Sequence, residues 1–259
     1  MLGAIAGDVI GSVHEYSKTK TTDFPLFTKE SFFTDDSVLT VAVGAALLGD
    51  GDYGSLFREF GRRHPGRGYG LRFHAWLHDP SMGPYQSWGI GSAMRVSPVA
   101  RAFESARQVI EEARRSAEVT HDHPEGIRGA EAVALAVFLA LHGAEKKDIR
   151  ARVAAHSGYA LDSSVEEIRP DYQFQESCAG SVPESIICFL ESRDFEDAVR
   201  LAISLGGDAD TMACIAGAIA EAHYDGVPKH IGGAVRERLS SDLTEVLERF
   251  ESRFPGPAA

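Results

Sequence analysis

The chain carries long stretches of small and apolar residues with helical spacing, and the alternating Val/Ile/Thr runs that would form β-strands are nearly absent. Stretches that are apolar on nearly every side are typical of helices buried in a core. Buried helices are predicted at residues 2–13, 38–48, 129–141 and 211–222, and further helices at 182–190 and 195–205. The pattern therefore predicts an all-α protein.

Two other helices should lie at the surface because polar residues cover one side of each. They are predicted at residues 103–117 and 240–250. Pro183 is placed in the first turn of the helix at 182–190, where a proline is tolerated because the N–H group that it lacks would have no partner.

No linker, charge block or repeat divides the chain, so residues 1–259 are interpreted as one domain with one core. No apolar run reaches the roughly 18 residues of a membrane span, and the first residues do not resemble a secretion signal. Cys178, Cys188 and Cys214 are odd in number and form no Cys-x-x-Cys pair, which favours a reduced, cytoplasmic setting. We also expect no membrane association and a monomer.

The net charge of −12 argues against generic nucleic-acid binding, which needs a basic surface. An anionic ligand would need local positive features such as helix N-termini, bound cations or a few arginines. The chain also lacks a Gly-x-Ser-x-Gly elbow and a Walker-type phosphate loop, which argues against serine hydrolases and P-loop enzymes.

Two short segments place oxygen-bearing side chains where the chain enters a predicted buried helix. The six side chains are Thr34, Asp35 and Asp36 in the first segment, and Asp208, Asp210 and Thr211 in the second. Asp and Thr are also favoured helix N-caps, but a cap needs one carboxylate and each segment has two. Four clustered carboxylates would repel one another unless a cation offset their charge. The spacing therefore favours a site for one or two hard divalent cations such as Mg²⁺ or Mn²⁺.

Four blocks of sequence, in order along the chain, resemble signatures of the ADP-ribosylglycohydrolases, the family of dinitrogenase reductase-activating glycohydrolase and the ADP-ribosylhydrolases. The blocks are residues 1–15, 33–37, 91–95 and 206–211, and the resemblance runs from about residue 2 to residue 228. It implies an orthogonal helical bundle with two Mg²⁺ or Mn²⁺ ions. It also implies hydrolysis of the bond that joins ADP-ribose to an acceptor.

The resemblance assigns catalytic roles to Glu15 and Asp36, which would assist proton transfer at water or at the leaving group; which residue does which stays open. Without the resemblance, Glu15 would be interpreted as a solvated residue at a helix end. Asp8 lies inside the first apolar helix, where an unpaired carboxylate is costly. We expect it to bond a nearby helix start or to support the metal ligands, and assign no metal to it.

The resemblance further assigns ligand binding to a glycine turn that opens a helix and to a histidine. The residues are Gly89, Gly91, Ser92, Ala93, Met94, Arg95 and His121. Backbone N–H groups at such a turn can bind the diphosphate of ADP-ribose. The family often has Asn at the position of Ile90, so this chain lacks an amide there. Arg95 is expected to contact either a phosphate or a structural carboxylate.

His121 is either a ligand contact or a structural histidine. With His123 it forms a His-x-His pair that also suits zinc, but no cysteine cluster or third histidine lies close in sequence. The candidates for stacking on adenine are Tyr85, Trp88, Tyr159 and Phe174, most of which are expected to be packing residues.

The sequence thus predicts metal-dependent hydrolysis of an ADP-ribosylated protein or small molecule, with ADP-ribose as product and arginine as the favoured acceptor. The alternatives are serine-linked, nucleic-acid-linked or small-molecule ADP-ribose, and a protein of the same fold that binds ADP-ribose without turnover.

Overall fold

The computed structural model describes residues 1–255, and its regular structure is helical. Many helices begin after a capping side chain: Ser177 Oγ accepts from the Gly180 N–H at 3.1 Å, and Asp194 Oδ1 accepts from the Asp197 N–H at 2.8 Å. The fifteen helices of this part of the chain are α1 (Leu2–Gly11), α2 (Asp35–Leu48), α3 (Tyr53–Arg63), α4 (Leu71–His78), α5 (Gly91–Met94), α6 (Val99–Ala102), α7 (Ala106–Glu118), α8 (Pro124–Leu141), α9 (Lys146–Ser157), α10 (Val165–Ile168), α11 (Cys178–Glu191), α12 (Phe195–Ile203), α13 (Ala209–His223), α14 (Lys229–Arg236) and α15 (Ser241–Arg253).

The all-α prediction is confirmed. Within residues 1–255 the β-pairing consists of one isolated bridge between Gly89 and Ser177. Every helix predicted from the pattern is present, with ends that shift by a few residues. Within the same residues, no helix is long and apolar enough to cross a bilayer.

Helix α13 lies at the centre of the core, and its residues from Ala209 to Ala222 are all buried. It packs against α1, α2, α8, α11 and α12. Helix α8 is likewise buried continuously from Gly129 to Ala140. The stretches that are apolar on every side therefore form the interior, as the pattern predicted.

Helix α1 approaches α13 unusually closely because three glycines of α1 face it. A Cβ atom on Gly3 or Gly7 would overlap the backbone of α13, and one on Gly11 would lie 2.5 Å from the Cα atom of Asp210. The missing side chains let the two backbones touch. As a result the C-terminal end of α1 lies directly against the first turn of α13.

Two predicted details are wrong. Helix α11 begins at Cys178, after the cap formed by Ser177, so Pro183 lies inside the helix rather than in its first turn. The predicted helix at 103–117 begins only at Ala106, because Phe103 has extended backbone angles and Ser105 caps the helix. In both cases a serine side chain that accepts from the first turn sets the boundary, and the apolar spacing does not reveal it.

Candidate active site

Asp8 joins two of the three segments that meet at the site, which are the end of α1, the start of α2 and the start of α13. Its buried carboxylate accepts from the Thr34 N–H at 3.0 Å, from Thr34 Oγ1 at 2.7 Å and from the Ser37 N–H at 3.0 Å, and it also contacts Ser37 Oγ. The expectation that Asp8 bonds a helix start is confirmed. These contacts fix the first turn of α2 against α1.

Asp36 joins the first turns of α2 and α13. Its Oδ2 atom accepts from Thr211 Oγ1 at 3.2 Å and lies 3.3 Å from Thr34 Oγ1. Its other carboxylate oxygen, Oδ1, is buried without a hydrogen-bond partner. An unpartnered buried carboxylate oxygen is costly, so this atom is placed to accept a ligand that the protein itself does not supply.

Two overlapping groups of carboxylates lie at this junction. Oxygens of Asp8, Asp36 and Asp210 lie within 4.8 Å of one another, and so do oxygens of Glu15, Asp208 and Asp210. Asp210 belongs to both groups. The two acidic segments, about 170 residues apart along the chain, are thus brought together with Glu15, which is half-buried in the turn that follows α1.

The site disfavours ionised carboxylates when nothing balances their charge. Burial and then the charge of Asp210 raise the pKa of Asp36 well above its ordinary value, and burial with the charge of Asp208 does the same for Asp210. Burial raises the pKa of Asp208 to about 8, with the charges of Asp36 and Glu15 adding to the effect. Oxygen ligands alone, with one buried oxygen unpartnered, fit a hard cation such as Mg²⁺ or Mn²⁺.

Asp35 belongs to neither carboxylate group. It is half-buried, its N–H donates to the Arg67 carbonyl at 2.7 Å, and a Cβ atom on Gly68 would lie 3.1 Å from its Oδ1 atom. The Asp35 carboxylate therefore faces the loop that follows α3. Burial and then the charge of Asp8 raise its pKa to about 8. Asp35 as a metal ligand stays a prediction.

The glycine turn lies against the segment that precedes α11. The Ile90 N–H donates to the Glu176 carbonyl at 2.8 Å, and the N–H groups of Ala93 and Met94 turn back to the Ile90 carbonyl. The Gly89 N–H contacts Ser87 Oγ at 3.2 Å. The N–H groups of Gly91 and Ser92 have no hydrogen-bond partner among the described residues; Gly91 is partly exposed, whereas Ser92 is buried.

Side chains of the same turn are used inside the protein. Ser92 Oγ donates to the Gly126 carbonyl at 2.7 Å, and Ile90, Ala93 and Met94 are buried in the core. The guanidinium of Arg95 is fully buried and contacts no carboxylate among the described residues; it bonds the Ser116 carbonyl and Thr120 Oγ1 instead.

The two histidines of the His-x-His pair have separate environments. The His121 side chain is buried, and its Nδ1 atom lies 2.7 Å from Thr120 Oγ1. His123 caps α8, because its Nδ1 atom accepts from the Glu125 N–H at 3.1 Å. Neither belongs to a metal-binding group in the described part of the chain.

Exposed aromatic side chains lie next to the site. Of the four candidates for adenine stacking, Tyr85 and Tyr159 are buried, whereas Trp88 is 53% exposed and Phe174 is 38% exposed. Tyr16, which directly follows Glu15, is 81% exposed, and its ring stacks on Phe174 with the centroids 6.2 Å apart. The Glu15 carboxylate accepts a hydrogen bond from the Tyr16 phenol, and this bond raises the pKa of the phenol. Partial burial and the charges of the nearby carboxylates raise that pKa further.

Sequence reasoning missed three residues that the structure places at the site: Ser37, Tyr16 and Thr120. Ser37 lies in the first turn of α2; it belongs to the block 33–37, but nothing in the sequence shows that its hydroxyl contacts the Asp8 carboxylate. Tyr16 adjoins Glu15, and a large aromatic directly after a candidate catalytic residue is the signal that could have indicated it. Thr120 adjoins His121, and its contact with Arg95 depends on packing alone.

Comparison with known proteins identifies the family to which the chain belongs. The sequence profile of the family described as ADP-ribosylglycohydrolase matches residues 1–258. The mouse (Mus musculus) protein ADP-ribosylhydrolase ARH3 is 28% identical over 86% of this chain and 82% of its own length, and the human (Homo sapiens) ARH3 is 28% identical over 88% and 86%. ADP-ribosylarginine hydrolase Tri1 of Pseudomonas putida is 26% identical over 86% of this chain and 69% of its own.

A solved structure, named an ADP-ribosylglycohydrolase-related protein complex, superposes with a TM-score of 0.68 and covers 97% of this chain and 96% of its own. Its sequence is 24% identical, so it supports the fold. The resemblance of the four sequence blocks is confirmed by the match over nearly the whole chain. The chain belongs to the ADP-ribosylglycohydrolase family and is a hydrolase of that family.

Proposed function

We propose that this protein hydrolyses the glycosidic bond between ADP-ribose and an acceptor, most specifically the guanidinium of arginine, and that it requires divalent cations. The observation that carries the proposal is the convergence of Asp36, Asp208, Asp210 and Glu15, with the Asp36 Oδ1 atom buried and unpartnered. These residues would hold two Mg²⁺ or Mn²⁺ ions. When bound, such ions orient hydroxyl groups and lower the pKa of water.

Glu15 is the better placed of the two candidate proton-transfer residues. Asp36 is 2% exposed and its Oδ2 atom bonds Thr211, whereas Glu15 is half-buried and so is partly accessible to solvent. A proton that passes to a leaving group has to reach the side from which the acceptor enters. We therefore assign proton transfer to Glu15, and assign Asp36 to holding the cations.

The glycine turn would hold the diphosphate. The donors of this turn without a protein partner are the N–H groups of Gly91 and Ser92, and a ligand would reach that of the partly exposed Gly91. His121 lies beside Gly91, since a Cβ atom on that glycine would lie 3.2 Å from His121 Nε2. The local positive features that the net charge of −12 demands are thus backbone donors and cations, because the Arg95 side chain is buried.

The aromatic pair of Tyr16 and Phe174 supports arginine as the acceptor. A guanidinium is planar and cationic, so it stacks on aromatic faces and is attracted by carboxylates. Tyr16 offers an exposed ring directly after Glu15, in the negative field of Asp208 and Asp210. The name of the Pseudomonas putida relative specifies arginine, whereas the name ARH3 specifies no acceptor. A serine acceptor is neither planar nor charged and would gain nothing from this surface.

The decisive experiment offers ADP-ribosyl-arginine, ADP-ribosyl-serine and ADP-ribosylated DNA in parallel with Mg²⁺ or Mn²⁺ and measures released ADP-ribose. We expect the arginine compound to be preferred, and Asp208→Asn and a chelator each to abolish release. Asp162→Asn, which changes an exposed carboxylate outside both groups, is the matched control. A preference for serine or DNA would refute the arginine assignment alone. Release from none of them would favour a protein that binds ADP-ribose without turnover.

The aromatic pair is tested by Tyr16→Ala and Tyr16→Phe. Tyr16→Ala should raise KM for the arginine compound more than for the others, while Tyr16→Phe should retain the wild-type KM because it keeps the ring. If Tyr16→Ala left the ratio of kcat/KM values among acceptors unchanged, the stacking argument would be wrong.

A further inference from the structure

Arg95 is a buried cation without a carboxylate partner among the described residues. Its side chain is fully buried, its guanidinium carbon lies 4.2 Å from the centre of the Phe57 ring, and its Nε and Nη1 atoms have no hydrogen-bond partner. Only Nη2 is engaged, with the Ser116 carbonyl at 3.1 Å and Thr120 Oγ1 at 2.9 Å. Burying a charged group with so few hydrogen bonds costs free energy of folding. The two hydrogen bonds that Nη2 does make therefore need an explanation.

The contact with Thr120 continues to His121. Thr120 Oγ1 lies 2.7 Å from His121 Nδ1, and both side chains are buried. A guanidinium can only donate, so the Thr120 hydroxyl accepts from Arg95. Its own hydrogen is then free to point at His121 Nδ1. In that arrangement Nδ1 is the acceptor, and the single ring hydrogen of a neutral imidazole is on Nε2.

The other ring nitrogen faces the glycine turn. Cβ atoms on Gly91 and Gly89 would lie 3.2 Å and 3.7 Å from His121 Nε2, so the absence of side chains at these two positions keeps its surroundings clear. Nε2 donates to no described residue. Burial, and then the charge of Arg95, lower the pKa of His121 well below its ordinary value, so the ring is neutral at physiological pH.

We propose that Arg95 is a positioning residue: through Thr120 it fixes His121 as the neutral Nε2–H tautomer, which presents one directed donor to an oxygen of the ligand held above the Gly89–Gly91 turn. The identity of that ligand as ADP-ribose rests on the proposed function, whereas the tautomer does not. Of the two roles predicted for Arg95, the contact with a structural carboxylate is absent among the described residues. In this proposal Arg95 does not touch the ligand and acts on it only by orienting the histidine.

The tautomer is tested by nitrogen NMR of protein labelled with ¹⁵N-histidine, with the His121 signals assigned from a His121→Gln spectrum. His142 provides an internal reference of the opposite kind, because its Nδ1 atom lies 2.8 Å from the Phe138 carbonyl and must donate to it. We expect His121 to show Nε2–H and an unprotonated Nδ1, and His142 the reverse. An Nδ1–H signal or an imidazolium for His121 at neutral pH would overturn the proposal.

We call the path of hydrogen bonds from Arg95 through Thr120 to His121 the relay. It is tested by variants that change only Thr120, its middle residue. Thr120→Val keeps the side-chain shape but removes the hydroxyl, so the His121 signals should shift to a mixture of tautomers, and Thr120→Ser should restore the single form. Loss of one hydrogen bond of this kind should weaken ADP-ribose binding about 3- to 10-fold in calorimetry. If Thr120→Val retained the pure Nε2–H form, the relay would be wrong even if ADP-ribose bound more weakly.

The two parts of the proposal fail separately. If the wild-type protein bound no ADP-ribose, the proposed function would fall while the NMR result still decided the tautomer. Arg95→Met should produce the same mixture of tautomers as Thr120→Val; if it does not fold, the Thr120 pair of variants carries the test alone.

Discussion

Asp208→Asn should stabilise the metal-free protein at neutral pH while removing its response to metal. Asp208 is 7% exposed, and burial raises its pKa from 3.8 to about 8. An acid whose pKa is raised in the folded state binds its proton more tightly there than in the unfolded chain. Its favourable contribution is therefore complete below the unfolded pKa and is lost as the pH rises toward the folded pKa.

The size of the effect follows from this pKa difference. Between the two pKa values, each pH unit costs about 1.4 kcal/mol of stability for one such group. From about pH 5 to about pH 7.5, Asp208 should therefore cost the metal-free parent on the order of 3 kcal/mol. Asparagine cannot ionise, so the variant escapes this loss. The free energy of unfolding of Asp208→Asn, measured relative to that of the parent, should therefore increase by about 3 kcal/mol from about pH 5 to about pH 7.5.

The assay is urea unfolding of parent and variant in excess chelator at both pH values, repeated with Mn²⁺. In Mn²⁺ the parent should be more stable than Asp208→Asn at the higher pH, because the cation binds the folded parent and binds the variant only weakly. Asp162→Asn should follow the parent throughout. If parent and Asp208→Asn showed the same pH dependence without metal, the Asp208 carboxylate would not carry the electrostatic cost inferred for it.

Two further predictions concern glycines. Gly7→Ala should destabilise the fold by roughly 1–3 kcal/mol, because its Cβ atom would overlap the Ala213 backbone; thermal unfolding measures this, and Gly233→Ala, a helical position with open space around it, should be neutral or slightly stabilising. A Gly7→Ala protein as stable as Gly233→Ala would contradict the close contact of α1 and α13. Gly91→Val should weaken ADP-ribose binding without lowering the unfolding temperature much, because its side chain would displace His121 from the turn; unchanged affinity would count against ligand binding there.

The sequence by itself determined the helical class, the buried helices and the two acidic segments. Each of these is a local property: apolar residues on every side of a helix have to be buried, and Asp or Thr before a helix caps it. Thr34 caps α2 in this way, and Asp208 precedes the first residue of α13, so the places of the two acidic segments at helix starts follow from a few neighbouring residues. The pairing of carboxylates within each segment was enough to suggest a cation.

Only the tertiary structure decided which of these side chains meet. Asp35 and Asp36 are adjacent in sequence, yet Asp36 bonds Thr211 while Asp35 faces the loop after α3, because successive residues of a helix point about 100° apart. Arg95 could not be assigned from its neighbours either, since its one engaged nitrogen bonds residues more than 20 positions away. Such choices depend on the packing of distant segments, which spacing along the chain does not encode.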